Sequence, residues 1–107
     1  MPYAIIFFDD EETQKTRSNL RERHIEYVRA RLPTVLASGG LLSDDGEHAN
    51  GGLIILDTDD REVAEEFVRN DPFLKGGVFS NYTVVRWRKA FLSGRDFLNA
   101  DASRADG

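Results

Sequence analysis

A chain of 107 residues is long enough for one domain with a core of its own and too short for two. Its 19 acidic and 14 basic side chains leave a net charge of −5, without the clustered basic face that nucleic acid demands, and no stretch approaches the ~18 apolar residues of a membrane span. With no cysteine, disulfides, thiolate nucleophiles and cysteine–metal sites are excluded together, and the opening MPYAIIFFDD lacks a secretory pattern, so the expected setting is cytoplasmic, with neither nucleic acid nor membrane as a partner.

The first element is a central strand, Tyr3–Phe8, because YAIIFF is continuous, β-prone and too short for a helix. Asp9, Asp10, Glu11 and Glu12 read as a solvated loop leading to a helix N-terminus, where negative charge is favourable. A long helix is then expected over residues 16–38. Leu20, His24, Tyr27, Val28 and Leu32 recur at three- and four-residue steps along one stripe, with Val35 and Leu36 continuing it. Arg17, Arg21, Glu22 and Arg29 fall on the opposite, solvated face. Pro33 either kinks this helix or ends it near Leu32, and Gly39–Gly40 stops it in either case. A histidine within an apolar stripe must find a hydrogen-bond partner, which singles out His24.

Residues 41–43 read as a short strand, and the polar, glycine-rich tract from Asp44 to Gly52 as a hairpin loop. GLIILD at 52–57 is a buried strand. Residues 61–70 form an amphipathic helix with Val63, Ala64, Phe67 and Val68 on one face, broken by Asp71-Pro72. The aromatic and β-branched run at 78–87 is the last strand. Residues 88–98 keep enough apolar side chains for a turn or an interface contact, and 99–107 are expected to fray. The order β-α-β-β-α-β is that of a ferredoxin-like sandwich, a four-stranded antiparallel sheet with two helices on one face. Apolar residues point to both faces of that sheet, so a homodimer is expected to cover the second.

Several motifs in this order resemble the YciI-related (YCII, or DGPF-type) domain proteins. They are Arg21-x-x-His24-x-x-Tyr27, Ser38-Gly39-Gly40-Leu41-Leu42, Asp44-Asp45-Gly46, Gly51–Gly52, Asp71-Pro72-Phe73 and Gly76-Gly77-Val78. The resemblance spans residues 1–90, leaving 91–107 as an extension, and Gly40 stands where many members carry proline. It implies a dimeric α+β barrel with a pocket between sheet and helices, and a histidine–aspartate pair as its catalytic centre. By motif these are His24 and Asp71. A related group removes chloride from chlorinated hydroxyhydroquinones without a cofactor.

The chemistry of the residues is consistent with that implication. A histidine whose second nitrogen is held by an aspartate is an acid/base that works near neutral pH. The structural alternative is that Asp71 only caps the turn that follows it. Arg21 and Tyr27 lie one turn either side of His24 and are candidates for holding a substrate anion. Ser43 is a candidate for the pocket mouth and Phe73 for its wall, while His48 reads as solvated. Two distant histidines make a poor metal set, and neither glycine pair matches a nucleotide-binding loop, so no metal and no cofactor is expected. The expected function is a small cofactor-independent lyase, isomerase or dehydrochlorinase-like enzyme acting on a hydroxylated, ring-like metabolite. The alternative is a small-ligand-binding or accessory module with the same pocket.

Overall fold

A computed structural model describes residues 1–98. Strands β1 (Tyr3–Phe8), β2 (Val35–Leu42), β3 (Ala49–Leu56) and β4 (Tyr82–Arg86) form one sheet in the order β2-β3-β1-β4, every neighbour antiparallel. Helices α1 (Gln14–Arg29) and α2 (Arg61–Arg69), with the single turn α3 (Pro72–Lys75), complete a ferredoxin-like α+β sandwich. Among the described residues no helix is long and apolar enough to cross a membrane.

Alternation along β1 sends Tyr3, Ile5 and Phe7 to the helical side, where they meet Ile54 and Leu56 of β3, Val84 of β4, and Ala64, Phe67 and Val68 of α2. Val78 and Phe79 complete this core, with the Phe79 ring stacked on Phe7 at 3.8 Å. Gly52 lies opposite Phe7 in the register, and a Cβ there would stand 2.5 Å from the Phe7 ring, so only glycine lets that ring lie flat on the sheet.

The other face of the sheet is also apolar. Ile6 of β1 pairs with Leu53 of β3, and Ala4 pairs with Ile55 and Val85. Phe8, Leu53 and Val85 are substantially exposed there.

Three expected boundaries move. The long helix over 16–38 ends at Arg29. Leu32–Thr34 makes one 3-10 turn with Pro33 inside it, and the chain enters β2 at Val35. VLAS suits a helix stripe or a strand equally well; the ladder that Ala37 and Ser38 form with Ile55 and Ile54 decides it. Gly39 and Gly40 accordingly sit inside β2, opposite Leu53 and Gly52, and cap nothing. The last strand is shorter than residues 78–87, because Val78 and Phe79 turn into the core before pairing begins at Tyr82.

Residues 91–96 form a small hairpin, β5 (Phe91–Leu92) with β6 (Arg95–Asp96). Ser93 and Gly94 both take positive φ in its two-residue turn. The expected fraying of 99–107 falls outside the described residues.

Candidate active site

Helix α1 has no fully buried residue and packs chiefly on α3 rather than closely on the sheet. An open cavity of about 590 Å³ remains between α1 and the β2–β3 half of the sheet. The helix lines it with Arg17, Arg21, His24, Ile25, Val28 and Arg29, a stripe of three- and four-residue steps. Leu20 and Tyr27 point sideways instead. Leu20 packs beside Gly76, and Tyr27 packs edge-on against Phe67. His24 stands on the border between these two stripes.

His24 Nδ1 lies 2.8 Å from Asp71 Oδ1, across 47 positions of chain. The Asp71 side chain is fully buried and the His24 side chain is 17% exposed. The same Oδ1 accepts the backbone N–H of Phe73 at 2.9 Å. Asp71 is thus the N-cap of α3 and the partner of His24 at once, with Pro72 at the first helical position. The imidazole stacks on the Phe73 ring, with centroids 4.1 Å apart and planes 8° from parallel. One short turn therefore fixes the histidine through one carboxylate oxygen and a ring. Asp71 Oδ2 is buried and has no hydrogen-bond partner among the described residues. Among the described residues the second imidazole nitrogen, Nε2, makes no hydrogen bond, and it is not sealed from solvent.

Arg17 and Asp9 are functional candidates that the periodicity misplaced. Both were expected in water. The structure turns them inward, with Arg17 Nε donating to Asp9 Oδ2 at 2.7 Å and the side chains only 12% and 4% exposed. Arg17 Nη2 donates to the Gly51 carbonyl at 2.8 Å, and the guanidinium carbon stands 4.6 Å from the Phe73 ring centre. The signal available in the sequence is the spacing: Arg17 lies seven positions before His24, two turns along the same face.

The other candidates scatter. Arg21 lines the cavity but is largely exposed, 3.9 Å from Glu22. Phe73 forms part of the wall. Tyr27 lies outside this cavity. Its hydroxyl donates to the Phe67 carbonyl at 2.8 Å and its ring carries the Arg31 guanidinium at 3.7 Å. Burial pushes the Tyr27 hydroxyl above its ordinary pKa; Arg31 opposes that rise, and Asp71 and Glu66 add to it. Ser43 is likewise outside the cavity, donating to Asp45 Oδ1 at 2.7 Å within the β2–β3 turn and accepting the backbone N–H of His48. His48 is exposed on that turn. Among the described residues no three His, Cys, Asp or Glu side chains are grouped to hold a metal ion.

Comparison with known proteins adds four findings. The 5-chloro-2-hydroxyhydroquinone dehydrochlorinase TftG from Burkholderia phenoliruptrix AC1100, solved in complex with 2,5-dihydroxybenzoquinone, superposes with a TM-score of 0.75 at 25% identity, over 82% of this chain and 94% of that one. The Arabidopsis thaliana protein At3g17210 gives a TM-score of 0.45 at 8% identity, over 86% of this chain and 97% of that one. No curated protein sequence matches significantly. Residues 1–88 match the YCII-related domain, and the chain belongs to that family.

Proposed function

We propose that this protein is a small enzyme that moves protons on a hydroxylated, ring-sized metabolite through His24 and Asp71, with no bound cofactor. The observation that carries this reading is the 2.8 Å contact between His24 Nδ1 and a fully buried carboxylate at the wall of an open cavity. The likeness to a dehydrochlorinase of a hydroxylated aromatic compound supports the substrate class. The lack of any nucleotide-binding glycine loop supports the cofactor-free reading.

An ionised Asp71 only accepts hydrogen bonds, so Nδ1 carries the hydrogen and Nε2 presents its lone pair. A substrate O–H or C–H within reach of Nε2 gives up its proton there. The electron pair of that bond moves into the substrate, and Asp71 stabilises the imidazolium that forms. In an elimination the bond to the leaving group then breaks, and the group departs with its electron pair, as chloride does from a chlorinated ring. The net change is loss of HX, which needs no electron acceptor. In an isomerisation the proton returns to another carbon.

Chloride release from 5-chloro-2-hydroxyhydroquinone tests this reading. Turnover by the wild type, falling about 10²–10⁴-fold in His24→Ala and in Asp71→Asn, is the expected result. Binding without turnover, or turnover that survives His24→Ala, overturns it in favour of a ligand-binding module. The cysteine-free composition supports a cytoplasmic setting.

We infer in addition a homodimer built on the outer face of the sheet. Phe8, Leu53 and Val85 expose apolar surface on one side of three adjacent strands, and the helices all lie on the other. A second copy of the same face removes this surface from water at roughly 25 cal/mol per Å² before the entropy of association is subtracted.

A further inference from the structure

The cavity carries a charge opposite to that of the molecule. The protein has a net charge of −5, yet the described lining residues include Arg17, Arg21, Arg29 and His24 and not one aspartate or glutamate. Asp9 and Asp71 stand behind the wall, each engaged with a cation-forming side chain in front of it. Such a lining concentrates anions from a solution that the rest of the surface repels them from.

Of the three arginines, Arg17 is the one held still. Arg21 is 64% exposed on its side chain and Arg29 is also exposed, so both are free to reorient. Arg17 is anchored at Nε by Asp9 and at Nη2 by the Gly51 carbonyl. A guanidinium has five N–H donors, and these two bonds leave three, both hydrogens of Nη1 among them. Among the described residues Nη1 makes no hydrogen bond, and it is not sealed from solvent. Asp9 meets Arg17 through one carboxylate oxygen, Oδ2, so the pair is not a two-bond fork and the Nη1 end of the guanidinium is left out of it. Arg17 and His24 also touch the same Phe73 ring, at 4.6 Å and 4.1 Å from its centre, so one aromatic surface sets their relative positions.

We propose that Arg17 is the anion receptor of this cavity, donating from Nη1 to an ionised oxygen, a phenolate or carboxylate, of the ligand that His24 faces. This rests on the proposed function for the cavity's being the ligand site, and it transfers to Arg17 the role expected of Arg21 or Tyr27. The ligand class follows: a small planar molecule that is an anion at neutral pH, with its charged oxygen toward Arg17 and its reacting atom toward Nε2.

Matched probes test it by NMR titration of the full chain at millimolar concentration: benzoate against benzamide, and 2,5-dihydroxybenzoquinone against its neutral 2,5-dimethoxy counterpart. The anionic member of each pair is expected to shift the Gly51 and Phe73 amides and the Arg17 Nε resonance, and to bind about tenfold or more tightly than its neutral partner. In Arg17→Gln that preference disappears, while in Arg21→Gln it falls by less than threefold. Should Arg17→Gln fail to fold, the wild-type pairs and the Arg17 Nε shift decide alone. Equal binding of neutral and anionic members, no response to either anion, or a preference that survives Arg17→Gln overturns the proposal. His24→Ala separates this from the proton-transfer reading, because it removes turnover but leaves the preference for anions.

Discussion

His24 and Asp71 are held together by a turn that depends on both ends of the aspartate's role. The carboxylate oxygen that caps α3 by accepting the Phe73 N–H is the same atom that meets His24 Nδ1. The structural and functional readings of Asp71 are therefore one arrangement, and substitutions separate its two parts.

Asp71→Asn keeps an acceptor for the Phe73 N–H and a partner for Nδ1 but removes the charge. It is expected to retain most of the stability and lose proton transfer. Asp71→Ala loses the cap and leaves the His24 Nδ1–H without its partner, at a cost of about 1–3 kcal/mol. Urea unfolding of the two variants checks this. Equal loss of stability in both would show that the charge, and not the cap, holds the turn.

The glycines of the cavity floor are expected to differ. A Cβ at Gly52 would stand 2.5 Å from the Phe7 ring, whereas at Gly40 it would meet nothing nearer than the Leu42 side chain at 3.7 Å. Gly52→Ala should destabilise the fold by about 1–3 kcal/mol. Gly40→Ala should fold normally and narrow the cavity, weakening ring-sized ligands more than small anions such as acetate. Thermal denaturation and ligand titration measure the two effects.

Tyr27 sets an alkaline limit on stability. Its hydroxyl donates to the Phe67 carbonyl, and burial raises its pKa in the folded state above the unfolded one. The stabilising contribution of the neutral phenol is complete below about pH 10, the unfolded value, and is lost as pH rises through the higher folded value. Tyr27→Phe is expected to cost about 1 kcal/mol at neutral pH and to flatten this part of the alkaline decline. Urea midpoints on both sides of that range test the sign.

The apolar outer face predicts association. Sedimentation equilibrium at micromolar concentration should return twice the chain mass of 12.1 kDa. Phe8→Lys together with Val85→Lys should return the single chain with its core intact, since both side chains are exposed on that face. A wild-type species of single-chain mass would sink the dimer.

Much of the architecture is legible in the residues themselves. The uninterrupted YAIIFF, the GLIIL of β3 and the Ala64–Phe67–Val68 spacing specify central strands and an amphipathic helix locally, because each pattern suits one period and one neighbour. Locally, His24 reads only as a polar group on a half-buried stripe and Asp71-Pro72 only as a turn; the expectation that they pair comes from the family resemblance, because nothing near either residue in the chain brings them together.

The tertiary structure alone decided the rest. Val35 to Ser38 satisfy helical and strand patterns alike, and β3 alongside makes them a strand. That choice moves the glycines into the sheet, holds α1 off β2, and opens the cavity. Arg17 has the local surroundings of a solvated residue, and only the approach of Asp9 and the Gly51 carbonyl, eight positions back and 34 onward, turns it inward. Tyr27 leaves the cavity for the same kind of reason, because the Phe67 carbonyl on α2 claims its hydroxyl. Helical period says which residues share a face, but a helix standing away from its sheet has two inward stripes. Which of them meets a neighbour and which lines open space depends on partners far along the chain.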